Sequence, residues 1–451
     1  MHTRFIVTSL VLALAGCGAR STLEEVDSDE TPACTKDERI QGDGEWLRGL
    51  GPGKGAELAR SANGRLVAAW RTGDQVTLDC EELEPIGDSD LVVASFEPTG
   101  EVAWAHRIGV SGMDSHGVRG IGMHHLGVDD DGNVFIAGLG PHGNKLDALG
   151  TTIDSELFVL SFDAAGALRW AHGYARDADG HVSLDAATVS PEGELTIAYT
   201  FQNRLQLDEW PVDGGHGGEM ARALITWDPK GAVIRSSRSE GRSFGGLRAG
   251  PDGLLAVAWQ FPDRTGELEL LQGSTSLWSE KMWSVPWALW FRTSELVASS
   301  SPVPPAERTW LMGLDVGAGG IRWSSAFDEW NGKQGEFPPW ASHLVDVDDG
   351  MVVAVPLLGS VDLGDQTFSS AGSFDAVLMH VEEGGLPRGF RKIGAAGEEV
   401  VTGLVSADAG RVGLMLQSDA PVDLGFGAPP SACNAASASC RMLTLAVIEA
   451  P

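Results

Sequence analysis

Residues 157–175, LFVLSFDAAGALRWAHGYA, contain two short strands joined by a tight turn. The first strand, residues 157–162, is an almost continuous apolar run without helical spacing, as in a buried strand. The turn is the tetrapeptide DAAG, in which Gly166 is free to adopt a positive φ angle. Residues 167–171, ALRWA, combine aromatic and branched side chains that suit a pleated surface. The stretch therefore predicts a β-hairpin.

Versions of this hairpin recur along the chain in two interleaved series. The turns of the first series end at Gly64, Gly132, Gly193, Gly253, Gly350 and Gly410. The turns of the second series end at Gly100, Gly166, Gly231, Gly320 and Gly385. In the first series the second, third and fourth glycines are 61 and 60 residues apart. Because the series interleave, each unit of this length contains four strands.

One interval of the first series, between Gly253 and Gly350, is 97 residues long and holds a degenerate extra unit. Its first hairpin is predicted over residues 287–300, and its second over residues 309–323. The preceding unit would then end with a short hairpin over residues 277–283. This assignment gives seven units, the last of which ends at residues 442–449.

The repeat predicts an all-β fold, a β-propeller of about seven four-stranded blades, within a range of six to eight. A single twisted blade leaves both of its faces uncovered, so blades pack face to face and close into a ring. Four large side chains at matching places are the predicted interblade filling: Trp104, Trp170, Trp323 and Phe390. The alternative fold is two β-sandwiches in tandem, whose strands should lack a fixed long period.

Two units share a longer set of residues beyond the turn glycines. In the second unit these are Asp131-Gly132-Asn133 before VFIAG, then Leu157-Phe158-Val159, Phe162-Asp163, Gly166 and Trp170. In the sixth unit they are VDLG, residues 361–364, and GSFDAVL, residues 372–378. These residues resemble the SBBP-type β-propeller repeat of bacterial exported and surface proteins. The segment 314–323 also resembles the blades of quinoprotein-like (PQQ-type) propellers. Both resemblances imply a fold, and folds of this kind host many functions.

The composition is strongly acidic, with 63 Asp and Glu against 32 Lys and Arg and a formal net charge of −31. Nucleic acid and anionic lipid head groups attract cationic surfaces, so neither is an expected partner. The apolar fraction of 43 % is sufficient for a large core.

The N-terminus predicts export. Arg4 precedes an apolar run at residues 5–15 that is too short to span a bilayer, and Leu14-Ala15-Gly16-Cys17 then resembles a bacterial lipobox. We expect a lipoprotein signal peptide at residues 1–16, a lipidated, acidic and flexible tether at 17–45 with palmitate on Cys17, and the propeller at 46–451. The residue after Cys17 is Gly18 rather than Asp, which favours the outer membrane over the inner. The alternative is an ordinary secretory signal.

Four further cysteines occur in a chain that is expected to be exported: Cys34, Cys80, Cys433 and Cys440. An even number in such a chain predicts disulfides rather than metal ligation. Cys433 with Cys440 and Cys34 with Cys80 is one of three pairings, and the sequence does not choose among them.

Histidines and acidic loops are the candidates for chemistry. His116, His124 and His125 cluster between the first two units, where a metal or acid–base role competes with our preferred interpretation as solvated loop histidines. If His124 and His125 lie on a strand, they point to opposite faces. No cofactor is expected. The acidic stretches at residues 129–133 and 346–350 resemble calcium loops, but they lack the full ligand spacing and are better explained as hairpin turns.

Tryptophan is concentrated late in the chain, with eight of the fifteen between residues 278 and 340. We favour a core role for most of them. Trp330 and Trp340, which flank or lie in a polar Pro- and Gly-rich loop, are the binding candidates for sugar or peptide.

The sequence contains no nucleophile elbow, dinucleotide fingerprint or P-loop. We therefore expect a lipid-anchored envelope protein that binds or scaffolds a protein or glycan partner without catalysis. The alternative is a propeller enzyme, either a quinoprotein-like dehydrogenase or a glycan-acting hydrolase or lyase. A third interpretation is resemblance to the propeller lipoproteins that help to assemble outer-membrane proteins. Convergent His, Asp, Glu and Arg side chains in the central channel would favour an enzyme.

Overall fold

The computed structural model describes most of the chain from Arg39 to Pro451. The described residues are 39–41, 45–110, 121–141, 143–154, 156–175, 182–202, 204–207, 210–213, 220–239, 241–300, 309–327, 343–357, 359–363, 366–371, 374–394, 397–408, 410–419, 422, 424 and 441–451. The predicted signal peptide, most of the predicted tether and Cys17 lie outside them. Within these residues, no helix has the length and apolar character needed to cross a bilayer.

The chain forms seven antiparallel blades of four strands each, and the sheets of blades 1 and 7 carry additional edge strands. In every blade but the last the four strands follow one another along the chain, with a small hairpin inserted in four of the blades. Blade 1 contains β3 (Lys54–Arg60), β4 (Leu66–Thr72), β7 (Asp90–Phe96) and β8 (Val102–Val110). Blade 2 contains β9 (Met123–Val128), β10 (Val134–Leu139), β13 (Leu157–Phe162) and β14 (Leu168–Tyr174). Blade 3 contains β15 (Val182–Val189), β16 (Leu195–Phe201), β19 (Ala221–Trp227) and β20 (Val233–Ser239). Blade 4 contains β21 (Ser243–Ala249), β22 (Leu254–Gln260), β23 (Gly266–Gln272) and β24 (Thr275–Met282).

The remaining blades follow the same order. Blade 5 contains β25 (Pro286–Arg292), β26 (Glu295–Ser300), β27 (Thr309–Asp315) and β28 (Ile321–Phe327). Blade 6 contains β29 (His343–Val347), β30 (Gly350–Leu357), β33 (Asp375–Glu382) and β34 (Pro387–Ile393). Blade 7 contains β35 (Glu399–Ser406), β36 (Arg411–Ser418), β37 (Met442–Glu449) and β2 (Trp46–Pro52). The fold is therefore a seven-bladed β-propeller, as predicted.

Pairing between the two ends of the chain closes the ring. In blade 7 the outermost strand is β2, which pairs antiparallel with β37, with Trp46 opposite Val447 and Pro52 opposite Met442. A short strand, β1 (Arg39–Gln41), adds to the outer side of β2, although these residues fall within the predicted tether. This closure leaves only short outer edges exposed, which limits pairing with other chains.

Four small hairpins, which the sequence analysis did not predict, connect the second and third strands of blades 1, 2, 3 and 6. They are formed by β5 (Val76–Leu78) with β6 (Glu81–Leu83), β11 (Lys145–Ala148) with β12 (Thr151–Asp154), β17 (Arg204–Leu207) with β18 (Trp210–Asp213), and β31 (Ser360–Leu363) with β32 (Gln366–Ser369). The β11–β12 hairpin pairs with β8 and so extends the outer edge of blade 1. A single 3₁₀ turn, Pro251–Gly253, is the helical element among the described residues.

The defining hairpin is β13–β14, and its turn has the predicted geometry. Gly166 has φ +87° and its N–H donates to the Asp163 carbonyl at 2.9 Å. The Asp163 carboxylate accepts from the N–H groups of Ala165 and Ala167 at 2.9 and 2.8 Å. All six residues of β13 are buried, because the faces of blade 2 pack on both neighbouring blades.

Tryptophans fill the spaces between several blades, as predicted for Trp104, Trp170 and Trp323. The indole N–H of Trp104 donates to Ala164 O of the next blade at 3.3 Å, and that of Trp170 to Pro229 O at 3.0 Å. Phe390 is one position out of this register and packs on Phe368, with ring centroids 5.8 Å apart. The matching position in blade 6 is Gly389, which lies against Pro451.

The degenerate fifth unit has both predicted hairpins, β25–β26 and β27–β28. The prediction of a separate hairpin over residues 277–283 was wrong. These residues are mostly part of β24, which pairs back along β23 through a turn at Gly273-Ser274. The turn forms at Gly273 rather than within residues 277–283, because Gly273 adopts a positive φ of 62° without steric cost.

Candidate functional site

The candidate site lies where the innermost strands of the blades approach one another, in the order β3, β9, β15, β21, β25, β29 and β35. The strand register brings ionisable side chains of three blades to equivalent positions. The pairs that define this position are Glu57 with Ala69 in blade 1, His125 with Ala137 in blade 2 and His343 with Ala354 in blade 6. Blades 3, 4, 5 and 7 place Ala186, Gly246, Ala288 and Gly403 there.

Glu57 and His125 form an ion pair between neighbouring blades. The Glu57 Oε1 atom is 2.8 Å from His125 Nδ1, and the two side chains are 29 % and 23 % exposed. Glu57 Oε2 accepts from the N–H of Leu126 at 2.7 Å. On its other side, His125 Nε2 lies 3.4 Å from Leu184 O of blade 3. The pair therefore joins the inner strands of blades 1, 2 and 3.

Each partner favours the charged form of the other. Burial alone would lower the pKa of His125, but the Glu57 carboxylate and its hydrogen bond raise that pKa above the ordinary 6.5. Burial alone would raise the pKa of Glu57, but His125, His124 and the Leu126 N–H lower it below 4.5. Because opposite charges at this distance stabilise each other, the pair is ionised in mildly acidic solution.

His124 points to the opposite side of the strand and is buried. Its Nε2 lies 3.3 Å from Ala69 O of blade 1. A carbonyl only accepts, so Nε2 carries the hydrogen of the neutral ring and Nδ1 carries none. Burial lowers the pKa of His124 to about 4, and Arg71 adds to this, although Glu57 opposes it. In mildly acidic solution His124 is therefore neutral and His125 is charged. Adjacent strand residues point to opposite faces, so the two rings lie in different surroundings.

Arg71 and His343 complete the charged surroundings of Glu57. Arg71 Nη1 donates to Ile121 O at 3.4 Å, and burial lowers the pKa of Arg71 while Glu57 opposes the shift. His343 Nε2 lies 3.1 Å from Val401 O, and burial lowers its pKa. Among the described residues, Glu57 is thus the one carboxylate that acts on all four of these basic side chains.

A bulged residue interrupts the inner strand of several blades just before the equivalent position. In blade 3 it is Asp185, whose carboxylate accepts from Ser183 Oγ at 2.5 Å and from Thr200 Oγ1. Asp185 also helps to raise the pKa of His125. On blades 4 and 5 the inner strands instead carry Arg248 stacked on Trp290, with 4.0 Å from the guanidinium carbon to the ring centroid. Burial lowers the pKa of Arg248 to about 10.

The placement of His124 and His125 corrects one expectation. They do not lie in a solvated loop but on the inner strand β9, because the preceding connection ends at Gly122. His116 lies outside the described residues, as do Trp330, Trp340, Cys34, Cys433 and Cys440. Cys80 is disulfide-bonded, and its partner is outside the described part of the chain, so the pairing stays a prediction.

The acidic turn at residues 129–133 has the geometry of a hairpin turn. Asp129 Oδ1 accepts from the Asn133 N–H at 2.7 Å, and Asp129 Oδ2 accepts from Asn133 Nδ2 at 2.8 Å. Gly132 N–H donates to Asp129 O at 3.0 Å, with φ +82° at Gly132. Across the described residues, no three His, Cys, Asp or Glu side chains are grouped to hold a metal ion.

Sequence reasoning missed Glu57 and Arg71. A signal for Glu57 exists in the repeat, because Glu57, His125 and His343 each precede the first turn glycine of their unit by seven residues. Position within a repeat therefore marks a site that no local motif marks. Chemically, the arrangement holds a carboxylate–imidazolium pair beside a neutral imidazole, which are the groups needed either for a clamp between blades or for acid–base chemistry.

No protein-family model matches the chain, and no curated protein matches it in sequence. Among solved structures, the chain is similar to one in the crystal structure of the mitotic checkpoint complex, with 10 % identity, 90 % of this chain and 95 % of that chain covered, and a TM-score of 0.46. It is similar to the Pan2 WD40 domain of Neurospora crassa, with 12 % identity, 88 % and 89 % coverage and a TM-score of 0.43. It is also similar to BamB from Moraxella catarrhalis, with 14 % identity, 86 % and 92 % coverage and a TM-score of 0.36. Likenesses at this level concern the fold alone, and the strand pairing itself defines the seven blades.

Proposed function

We propose that the protein is an exported lipoprotein whose propeller binds or scaffolds a protein or glycan partner in the cell envelope without catalysis. The signal-like N-terminus with Cys17 and the resemblance of the repeat to SBBP-type units of exported proteins support the location. Lipid on Cys17 would anchor the chain, with the outer membrane favoured by Gly18. The acidic composition supports a partner other than nucleic acid.

The observation that carries the non-catalytic role is how the central groups use their hydrogen-bonding atoms. Glu57 uses one oxygen for His125 and the other for Leu126, and the second nitrogen of His125 faces Leu184 O. A general base needs an atom directed at the substrate. These atoms are directed at main-chain and side-chain partners of adjacent blades, which is what a clamp that stiffens a binding platform requires.

A glycan-acting hydrolase or lyase is the second candidate, favoured by the convergence of Glu, His and Arg side chains on the inner strands, which is the arrangement expected of a propeller enzyme. Glu57 and His125 are each about a quarter exposed, at 29 % and 23 %, so a substrate in the channel would meet a carboxylate–imidazole pair. Such pairs transfer protons in many enzymes.

One experiment separates the two candidates. Purified wild-type protein and His125→Gln are each mixed with envelope glycans, and both bound glycan and released fragments are measured. The binding role predicts no fragments from either protein. Fragments from the wild type that disappear in His125→Gln would contradict the binding role and establish the enzyme.

A second experiment tests the anchor. In a bacterial host fed labelled palmitate, Cys17→Ala should lose the label and leave the membrane fraction, because the thiol is the acylated atom. Cys34→Ala is the matched control and should keep the label. Retention of label by Cys17→Ala would contradict lipidation at this residue.

A further inference from the structure

The outer strands of five blades carry a tryptophan at one equivalent position. These residues are Trp46, Trp104, Trp170, Trp278 and Trp323. In each case the indole lies against a turn glycine of the next blade, as Trp104 does against Gly166 and Trp170 against Gly231. The tryptophan therefore closes the outer end of the space between two blades.

Blade 3 has Arg235 at this position. Arg235 pairs with Thr226 as Trp170 pairs with Ser161, and a register shift follows directly in both blades. It follows the turn glycine Gly231 by four residues, as Trp170 follows Gly166. Its guanidinium also approaches the turn glycine of the next blade, with Nη2 3.9 Å from the position of a Cβ on Gly273. Arg235 therefore replaces the tryptophan that closes the other junctions.

The replacement leaves a cleft of about 170 Å³ between the outer parts of blades 3 and 4. Three arginines line it, Arg235, Arg238 and Arg242, together with one carboxylate, Glu269. Arg242 is paired with Glu267 at 3.2 Å and lies 4.0 Å from Glu269, so Arg235 is the positive charge that a ligand in this cleft would meet. Positive charge attracts an anion more strongly when it lines a concave, partly apolar cleft than when it lies on an open surface.

Polar groups in the cleft are only partly used. Arg242 donates to Glu267 at 3.2 Å and stacks on Trp259 with 4.3 Å to the ring centroid. The backbone of Arg235 pairs with Thr226, but its guanidinium makes no hydrogen bond or ion pair with the described residues. Ser239 is 9 % exposed, and its hydroxyl has no hydrogen-bond partner among the described residues. Buried polar groups normally bond to protein or to water, so this hydroxyl is available to a ligand atom that displaces water.

We propose that this cleft binds the carboxylate of a sugar acid. The arginine guanidinium matches a carboxylate in a two-pronged hydrogen-bonded geometry. The remaining lining alternates hydroxyl groups with apolar side chains, which suits a ring that carries both hydroxyls and C–H faces: Thr226, Ser237, Ser274, Leu224, Leu255 and Leu271. Glu269 Oε2 accepts from the Trp259 indole N–H at 2.9 Å, which leaves Oε1 for a ligand hydroxyl, and the charge of this carboxylate disfavours a dianion such as phosphate. The volume is below the ~300–1,000 Å³ of sites for drug-sized ligands, so a single sugar residue is the appropriate size.

The inference rests on the proposed binding function and deepens it by naming a ligand class. The test is calorimetric titration of the purified full chain at low salt with sodium glucuronate, glucose, inorganic phosphate and N-acetylglutamate. We expect glucuronate to bind more tightly than the other three, with an affinity that falls as salt is added. A glucose affinity equal to that of glucuronate, or equal binding of phosphate or N-acetylglutamate, would overturn the assignment to a sugar acid.

Arg235→Trp is the decisive variant, because it installs the residue that five other blades use. It should weaken glucuronate binding about tenfold or more, since it fills the cleft and removes a charged donor. Arg235→Gln, which is smaller than arginine, should weaken binding similarly and guards against misfolding of the first variant. Arg388→Gln is the matched control, because Arg388 is an exposed arginine on the outer strand of blade 6.

If both Arg235 variants bind glucuronate with wild-type affinity, or if Arg388→Gln loses as much affinity as they do, the assignment of the binding site to this cleft is wrong. If the protein captures an envelope partner but does not bind glucuronate, the proposed binding function is supported and only the proposal of a sugar-acid cleft is wrong.

Discussion

Substitution of His124 gives the sharpest test of the site formed around Glu57 and His125 on the inner strands. Substitution by Gln keeps a donor for Ala69 O and removes the group that titrates. In the folded protein His124 has a pKa of about 4 against an ordinary 6.5. Each pKa unit corresponds to about 1.4 kcal/mol, so the lowered pKa of His124 costs the wild type about 3 kcal/mol of stability once the pH is below both values and both states bind the proton.

The sign follows from which state binds the proton. Below pH 6.5 the unfolded chain protonates His124 and the folded chain does not, so the free energy of unfolding decreases as pH falls from 6.5 towards 4. Above pH 6.5 both states are neutral at this residue, and it contributes no pH dependence. At pH 4.5 the expected loss of stability from His124 is about 2.5 kcal/mol relative to pH 7.5.

The assay is urea unfolding followed by tryptophan fluorescence at pH 4.5, 5.5, 6.5 and 7.5. The difference in the free energy of unfolding between His124→Gln and the wild type should shift in favour of the variant by about 2.5 kcal/mol between pH 7.5 and 4.5. Parallel curves for the two proteins would refute the claim that burial holds His124 neutral.

His125→Gln is the matched control, with the opposite sign. The pKa of His125 is raised, so its contribution is fully present below pH 6.5 and is lost as the pH rises through its folded pKa. Its partner Glu57, with a lowered pKa, contributes above pH 4.5 and loses that contribution as the pH falls through its folded pKa. The wild type should therefore lose stability relative to His125→Gln on the alkaline side of 6.5, where His124→Gln shows no such change.

Two further predictions concern the frame that supports the site. Gly166→Ala should destabilise the fold by about 2–4 kcal/mol, because φ is +87° and the new Cβ would lie 2.7 Å from the Trp104 ring. The control, Gly410→Ala, has φ +70° and open space around the new Cβ, so it should cost about 1–2 kcal/mol in the same urea assay. Equal losses of stability in the two variants would contradict the argument that Trp104 packs against Gly166. Asp90→Asn should cost about 3–5 kcal/mol, because Arg107 Nε donates to the buried Asp90 carboxylate at 2.7 Å and would be left with a neutral partner. A cost below about 1 kcal/mol in thermal or urea unfolding would contradict it.

Several features of the fold could be predicted because they depend on neighbours in the sequence. The turn at Gly166 needs a positive φ and a side-chain acceptor at Asp163, and both are local requirements. The apolar run of β13 predicted a strand buried on both faces. The error over residues 277–283 was also local, because Trp283, which is 92 % exposed, was treated as part of a strand.

The central site could be predicted only in part. His124 and His125 were singled out from the sequence, but their burial depends on the strands on either side of β9, which the chain order does not reveal. Glu57 carries no motif, and it reaches His125 because two blades whose equivalent residues are 68 positions apart pack side by side. The bulge that places Asp185 next to this pair is likewise a property of the strand pairing.

The sequence by itself determined the unit of this protein, four strands and two glycine turns, since turn geometry and strand alternation are set within a few residues. It indicated about seven copies of the unit, and the strand pairing fixed the number at seven. It also placed Arg235 four residues after its turn glycine, where Trp104 and Trp170 stand in their own units. Only the tertiary structure decided that β2 completes the last blade, that Glu57 meets His125 and that Arg235 faces a cleft. Each of these depends on contacts between separate blades, and such contacts are decided by packing across the ring rather than along the chain.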